Sequence, residues 1–221
     1  MHIVIGVPAY TGTLHIGTMR SLFRDMTTAM QRGDQVSILD ECDSCYLDDT
    51  RAALVAKFLH GDGDVLIAID HDVTWQAGAL LRIVDAPVDF CAGAYPYRKT
   101  PIEFPVRYLG KDEIWADPAT GLIEVEGAPG GFCKYSRAML EKMVAAYADL
   151  EFLCARSPTG KAVGLFESYR IGDGHKLGDD YAFCRRWRDL GGQVWVDPEI
   201  TMGHIGNAVH IGNLGEWLRS R

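Results

Sequence analysis

Two aspartates flanking a histidine, Asp70-His71-Asp72, follow directly on Val65-Leu66-Ile67-Ala68-Ile69, the most apolar run of the chain. Carboxylates at positions i and i+2 of a loop can share a hard cation and present it to a phosphate, because oxygen ligands suit ions such as Mg²⁺ and Mn²⁺. A polar strand end with solvated acids would carry the same letters, so the triplet alone leaves both readings open. Downstream lie a glycine-rich turn, Gly127-Ala128-Pro129-Gly130-Gly131, an acidic pair, Asp179-Asp180, and His204 between Gly203 and Ile205. Glycines let a backbone come close to a ligand and adopt φ > 0, although an ordinary tight turn has the same composition. A carboxylate fixed on the first turn of a helix can act as a general base. Asp179 stands where the cap of such a helix belongs.

The elements that must position these groups follow from periodicity. His2 to Val7 is a short β-branched run ending at Pro8, and it reads as a buried strand. A helix is expected over about Gly17 to Gln31, with Gly33 suiting its end. Gln35 to Leu39 reads as a second strand, stopping at the acidic loop Asp40-Glu41-Cys42-Asp43. Asp49 or Thr50 can cap a helix through Leu59, whose Leu54, Val55, Phe58 and Leu59 keep a 3.6-residue period. Val65 to Ile69, too short for a helix and apolar throughout, is expected as a central parallel strand. A helix near Ala77 to Val84 and a strand Phe90 to Ala94, neighbouring the 65–69 strand, follow. Strands alternating with helices mean βαβ units and a mostly parallel sheet, with ligands at the strand C-terminal ends.

Beyond residue 100 the pattern changes. Residues 102–126 read as short strands with a turn at Pro118-Ala119-Thr120-Gly121, giving a small antiparallel β insertion. A helix is expected over about Arg137 to Leu150. Arg156 to Gly178, with Ser157-Pro158-Thr159-Gly160-Lys161 and Gly172-Asp173-Gly174 as loop markers, reads as a mobile cover. Phe183, Trp187 and Leu190 then share one face of the helix that opens with the acidic pair.

In this order and within this αβ pattern, the motifs resemble those of the GT-A-fold glycosyltransferase superfamily, the nucleotide-diphospho-sugar transferases similar to family 2. Val65 to Val73 resembles its metal-binding strand and DxD loop. Gly127 to Arg137 resembles its glycine-rich loop, which lies against the donor sugar. Gly178 to Trp187 resembles its acidic-pair helix, here Asp-Asp where Glu-Asp is commoner. His204 resembles the C-terminal histidine that returns to the metal. The resemblance covers residues 65–206 and is weaker in the first third, where Pro8-Ala9-Tyr10 is similar to the first donor loop.

That resemblance implies an α/β GT-A domain over residues 1–221, with a nucleotide-binding part over 1–100 and an acceptor-binding and catalytic part over 101–221. It implies Mn²⁺ or Mg²⁺ on Asp70, Asp72 and His204, and a nucleoside-diphosphate sugar, UDP- or GDP-linked, as donor. Pro8, Tyr10, Asp40, His71, Gly130 and Gly131 would contact the donor, Asp40 at the base or ribose. Arg51 could approach the diphosphate, although an arginine on a helix is usually solvated. Asp180, with Asp179 beside it, would deprotonate an acceptor hydroxyl and give inversion; related retaining enzymes share the DxD and the histidine, and Glu167 is the alternative acid. In Tyr95-Pro96-Tyr97-Arg98-Lys99, aromatic rings suit sugar faces and the basic pair suits phosphate, although a surface turn carries the same letters.

Composition limits the alternatives. A chain of 221 residues with 48% hydrophobic residues can build a sizeable core. A formal charge of −8 argues against a broad basic surface for nucleic acid or an anionic membrane. No run reaches transmembrane length, no secretory leader is read, and six scattered cysteines suit a reducing compartment, so the chain reads as cytoplasmic or as a soluble piece of something larger. Cys42 and Cys45 form a lone CxxC, which reads as structural. A nucleotidyltransferase would need a basic glycine-rich loop that Gly6-Val7-Pro8-Ala9-Tyr10-Thr11 does not supply. A non-catalytic sugar-binding module would not need the acidic pair and the histidine together. The acceptor, whether saccharide, protein, small molecule or modified nucleic-acid base, is not readable.

Overall fold

The computed structural model describes residues 1–42, 44–110, 113–172 and 174–221. Asp43 of the acidic loop and Asp173 of the Gly172–Gly174 marker lie outside the described residues.

In chain order the elements are β1 (His2–Ala9), α1 (Ile16–Gln31), β2 (Gln35–Cys42), α2 (Leu47–His60), β3 (Val65–Ile69), β4 (Val73–Trp75), α3 (Ala79–Asp85), β5 (Phe90–Gly93), β6 (Ile123–Val125) and β7 (Phe132–Ser136). Then come α4 (Arg137–Ala146), a 3₁₀ turn over Ala148–Leu150, β8 (Glu151–Leu153), β9 (Lys161–Val163), β10 (Tyr169–Arg170), β11 (Lys176–Leu177), α5 (Asp179–Asp189), β12 (Val194–Asp197), β13 (Thr201–Ile205), β14 (Val209–Asn213) and α6 (Leu214–Arg219).

Seven strands form the central sheet in the order β2-β1-β3-β7-β5-β12-β6. β1, β2 and β3 run parallel, as do β5 and β12, while β7 lies antiparallel between β3 and β5, and β6 is antiparallel to β12. The mostly parallel α/β expectation is therefore borne out. One neighbour relation is corrected: the strand at residues 90–93 does not pair with β3, because β7 is inserted between them. The insertion follows from the chain returning through Gly130-Gly131 to the C-terminal end of β3 before it can start β7.

Alternation along the strands sends side chains into two layers. Ile3, Ile5, Val7, Val65, Ile67 and Ile69 pack with Leu22 of α1 and Leu80 and Ile83 of α3. Val4, Leu66 and Ala68 face the other way, onto Val55 and Phe58 of α2, Met139 and Met143 of α4, and Phe183 and Trp187 of α5. Both faces are thus covered by helices, which is why β3 is apolar at every position.

Several boundaries differ from the sequence reading. α5 has Gly178, not Asp179, at its N-cap; no side-chain cap forms there, and both aspartates sit inside the first turn. α2 begins at Leu47, so Asp49 and Thr50 are likewise within its first turn. The helix after β7 stops at Ala146 and continues as a 3₁₀ turn. Of the short strands expected over 102–126, only β6 and two isolated bridges form among the described residues. Within the expected mobile cover, Leu165 and Phe166 are buried, and Phe166 stacks on Phe183 with ring centroids 4.3 Å apart. That part of the segment belongs to the core.

Candidate active site

The sheet delivers its acids at one edge. The register Gly6↔Ala68 brings the end of β1 beside the end of β3, and Ile69↔Phe132 brings the start of β7 there as well. The Asp70-His71-Asp72 loop is held on three sides. Asp70 N–H donates to Gly131 O at 2.9 Å, His71 O accepts from His15 N at 3.0 Å and Thr18 Oγ1 at 3.1 Å, and Asp72 O accepts from Ile205 N at 2.9 Å. The last bond continues into the antiparallel pairing of β4 with β13, which sets His204 opposite Val73. Two residues distant in sequence are thereby made neighbours: His204 Nε2 lies 4.0 Å from Asp72 Oδ1.

His204 is oriented by its other nitrogen. Its Nδ1 lies 2.9 Å from the carbonyl of Pro96, which can only accept, so Nδ1 carries the proton and Nε2 turns a lone pair toward Asp72. Burial lowers the proton affinity of this imidazole, and the nearby Arg98 lowers it further against the opposing Pro96 bond. A neutral imidazole fixed through its far nitrogen and facing a carboxylate oxygen is a donor set that suits a divalent cation. Among the described residues, no three His, Cys, Asp or Glu side chains are gathered closely enough to hold a metal ion. Asp72 and His204 come together; Asp70 is turned instead toward Arg51 at 3.2 Å and the Tyr95 hydroxyl at 3.5 Å. The free carboxylate oxygen of the Asp72 pair is taken by the Arg98 guanidinium.

Arg51 departs furthest from its expected place. Its side chain is only 3% exposed, and its guanidinium joins Asp70, Asp179 and Asp180. It is thus buried and turned to carboxylates instead of solvated, and it is not among the residues that line the cleft described below. Burial opposes its charge, yet the three carboxylates hold its pKa well above the ordinary arginine value. Three carboxylates sharing one guanidinium leave excess negative charge. Burial accordingly raises the pKa of Asp180; Arg51 pulls it down, and Asp179 and Asp70 add to the rise.

Gly130 and Gly131 are needed for a reason other than φ: neither is among the residues with positive φ. A Cβ on Gly130 would lie 2.2 Å from Asp180 Oδ1, and one on Gly131 would lie 2.3 Å from Asp70 Oδ2. Their bareness gives the two acids room to approach the backbone.

A cleft of about 410 Å³ opens at this edge. Pro8, Tyr10, Asp70, His71, Asp72 and His204, all singled out from sequence, line it together with Tyr95 and Arg98. Ser44, Cys45, Leu47 and Thr50 form its other wall. Asp40 is exposed on the edge strand β2 and is not among the lining residues. Glu167 lines a separate acidic cleft with Asp48, Asp49, Asp149 and Glu151. Sequence reasoning did not assign Tyr95 or Arg98 to the acids. The aromatic-basic string 95–99 was the signal, and the partner of each residue was missing from it.

No protein-family model matches the sequence, and no curated protein matches it. By structure, 92% of the chain is similar to a crystal structure of GalNAc-T7 with UDP, GalNAc and Mn²⁺, with a TM-score of 0.51 and 10% identity, over 44% of that chain. A crystal structure of S. aureus TarS 1-349 is similar over 58% of its chain and 89% of this one, with a TM-score of 0.48 and 12% identity. The chain thus spans about half the length of these solved structures. At such identities the likeness is one of fold: the chain has the GT-A fold.

Proposed function

We propose that this chain is a metal-dependent glycosyltransferase that moves a sugar from a nucleoside-diphosphate sugar to an acceptor hydroxyl. The observation that carries the reading is the pairing of Asp72 with a pre-oriented His204 in a cleft at the C-terminal edge of a GT-A sheet. The UDP and Mn²⁺ held by GalNAc-T7, a chain of the same fold, support the same class of donor and ion.

In this reading Asp72 and His204, with Asp70 directly or through water, hold Mn²⁺ or Mg²⁺. The ion, when bound, neutralises charge on the departing diphosphate. Pro8, Tyr10 and His71 line the donor cleft, residues 1–100 supply the nucleotide-binding part, and residues 101–221 supply the acceptor side. Gly130 and Gly131 leave the sugar and the acids room to meet.

Asp180 takes the proton from the acceptor hydroxyl, giving inversion at the anomeric carbon. Two features suit it to that task. Its pKa, raised by burial, makes it a stronger base than an ordinary aspartate, and Arg51 opposes that rise and fixes its direction. Glu167, in its separate cleft, lacks that link to Asp70. The testing experiment is a donor-hydrolysis screen with Mn²⁺ or Mg²⁺ across UDP-, GDP-, CMP- and dTDP-sugars. Metal-dependent release of one nucleotide is expected; no release from any donor with either ion overturns the assignment.

A further inference from the structure

Arg98 carries an inference that rests on the reading above. Its Nη2 bonds Asp72 Oδ2, while the other oxygen of that carboxylate faces His204 Nε2 at 4.0 Å. The guanidinium thus claims the very carboxylate that the cation needs, and two positive charges on one carboxylate repel each other.

Arg98 is also placed to move. Its side chain is 43% exposed. The backbone around it is tied down: Tyr97 N donates to Glu103 O at 2.8 Å, Lys99 N to Tyr97 O at 2.9 Å, and Pro96 O holds His204. Any motion therefore falls to the side chain. Gly206 leaves room for the stem, since a Cβ there would lie 3.0 Å from Arg98 Cδ.

Charge says where it would go. Among the described residues that line the cleft, Arg98 is the one lysine or arginine. Arg51, the other guanidinium near the acids, is buried and bonded to three carboxylates. An entering diphosphate meets Asp70 and Asp72, and the counter-charge among the described lining residues is Arg98, whose planar fork suits phosphate oxygens.

We propose that Arg98 exchanges anions: it holds Asp72 while no cation is bound, and it pairs with the donor diphosphate once a divalent cation takes Asp72 and His204. Arg98 then both weakens metal binding to the empty cleft and strengthens nucleotide binding to the metal-loaded one. The two ligands become coupled, because each favours the outward position of one side chain.

The test is calorimetry on the full chain, wild type, Arg98→Gln and Arg98→Lys, titrated first with Mn²⁺ alone and then with UDP and GDP at saturating Mn²⁺. Arg98→Gln should bind Mn²⁺ about three- to fivefold more tightly, the scale of a part-exposed ion pair. It should bind the nucleotide about tenfold more weakly, the scale of one hydrogen bond to a charged group. Arg98→Lys keeps the charge without the fork, so it should return Mn²⁺ affinity toward wild type and recover only part of the nucleotide affinity. Unchanged or weaker Mn²⁺ binding by Arg98→Gln, or unchanged nucleotide binding, overturns the exchange. A wild-type chain that binds Mn²⁺ but neither nucleotide would instead overturn the donor assignment and the diphosphate half of the exchange with it, while the Mn²⁺ titrations still decide whether Arg98 competes for Asp72.

Discussion

Arg51 Nη1 donates to Asp179 Oδ2 at 2.8 Å although 128 positions separate the two residues. Through this bond and those to Asp180 and Asp70, α2 fastens the first turn of α5 to the end of β3. The acids that the proposed chemistry uses are therefore positioned by a residue on neither of their own elements. The same guanidinium sets how much negative charge that edge can carry.

Replacing Arg51 with Gln should destabilise the chain strongly, by about 3 kcal/mol, because carboxylates lose their common counter-charge near the core. The lower end of the usual range applies since those carboxylates keep 21–30% exposure. The pH dependence has a definite sign. Asp180 already binds its proton more readily folded than unfolded, and losing Arg51 widens that gap. Such a group favours the fold below the unfolded carboxylate value and loses that contribution as pH rises through the folded value. Urea denaturation at several pH values should show the deficit shrinking on acidification toward pH of about 4. A deficit independent of pH would mean that Arg51 acts by packing alone.

Asp180→Asn keeps size and hydrogen bonding but cannot accept a proton. Metal and donor should still bind by calorimetry, while transfer falls by about 10²- to 10⁴-fold. In the wild type, kcat/KM should fall with acidity at a pH above the ordinary aspartate range, because burial raises the value that must be exceeded for the base to be free. Near-normal transfer by the Asn variant would sink the inverting mechanism.

Gly131→Ala and Gly130→Ala should separate the two acids. Each added Cβ collides with a carboxylate, Asp70 in the first case and Asp180 in the second, and neither backbone has a φ that excludes alanine. Displacing a reacting group by about 1 Å costs on the order of 10²-fold in rate. Gly131→Ala should weaken Mn²⁺-dependent nucleotide binding, whereas Gly130→Ala should spare binding and lower transfer. Identical profiles for the two variants would contradict the assignment of roles.

Asp72→Ala should abolish metal-dependent nucleotide binding and leave the fold intact, since Asp72 contributes to the β13 pairing through its backbone carbonyl. Circular dichroism should be unchanged. Unaltered Mn²⁺-dependent affinity for UDP and GDP would remove Asp72 from the metal site.

Much of the architecture is written in short stretches of sequence. β3 announces itself because a strand covered by helices on both faces must be apolar at every position, and α5 because Phe183, Trp187 and Leu190 recur at helical spacing. Asp70 and Asp72 follow the one and Asp179 and Asp180 open the other, so their places at element ends are legible locally. What joins them is decided by packing between distant segments. The insertion of β7 between β3 and β5, the pairing of β4 with β13 that brings His204 to Asp72, and the burial of Arg51 beneath three carboxylates have no local signature. A strand's side-chain period says which face it shows the core but not which neighbour it takes, and a charged residue on a helix looks solvated until the opposite wall is built around it. The sequence by itself determined the chemical groups and the elements that carry them; the tertiary structure alone decided their partners, because partner choice minimises buried charge and exposed apolar surface over the whole chain at once.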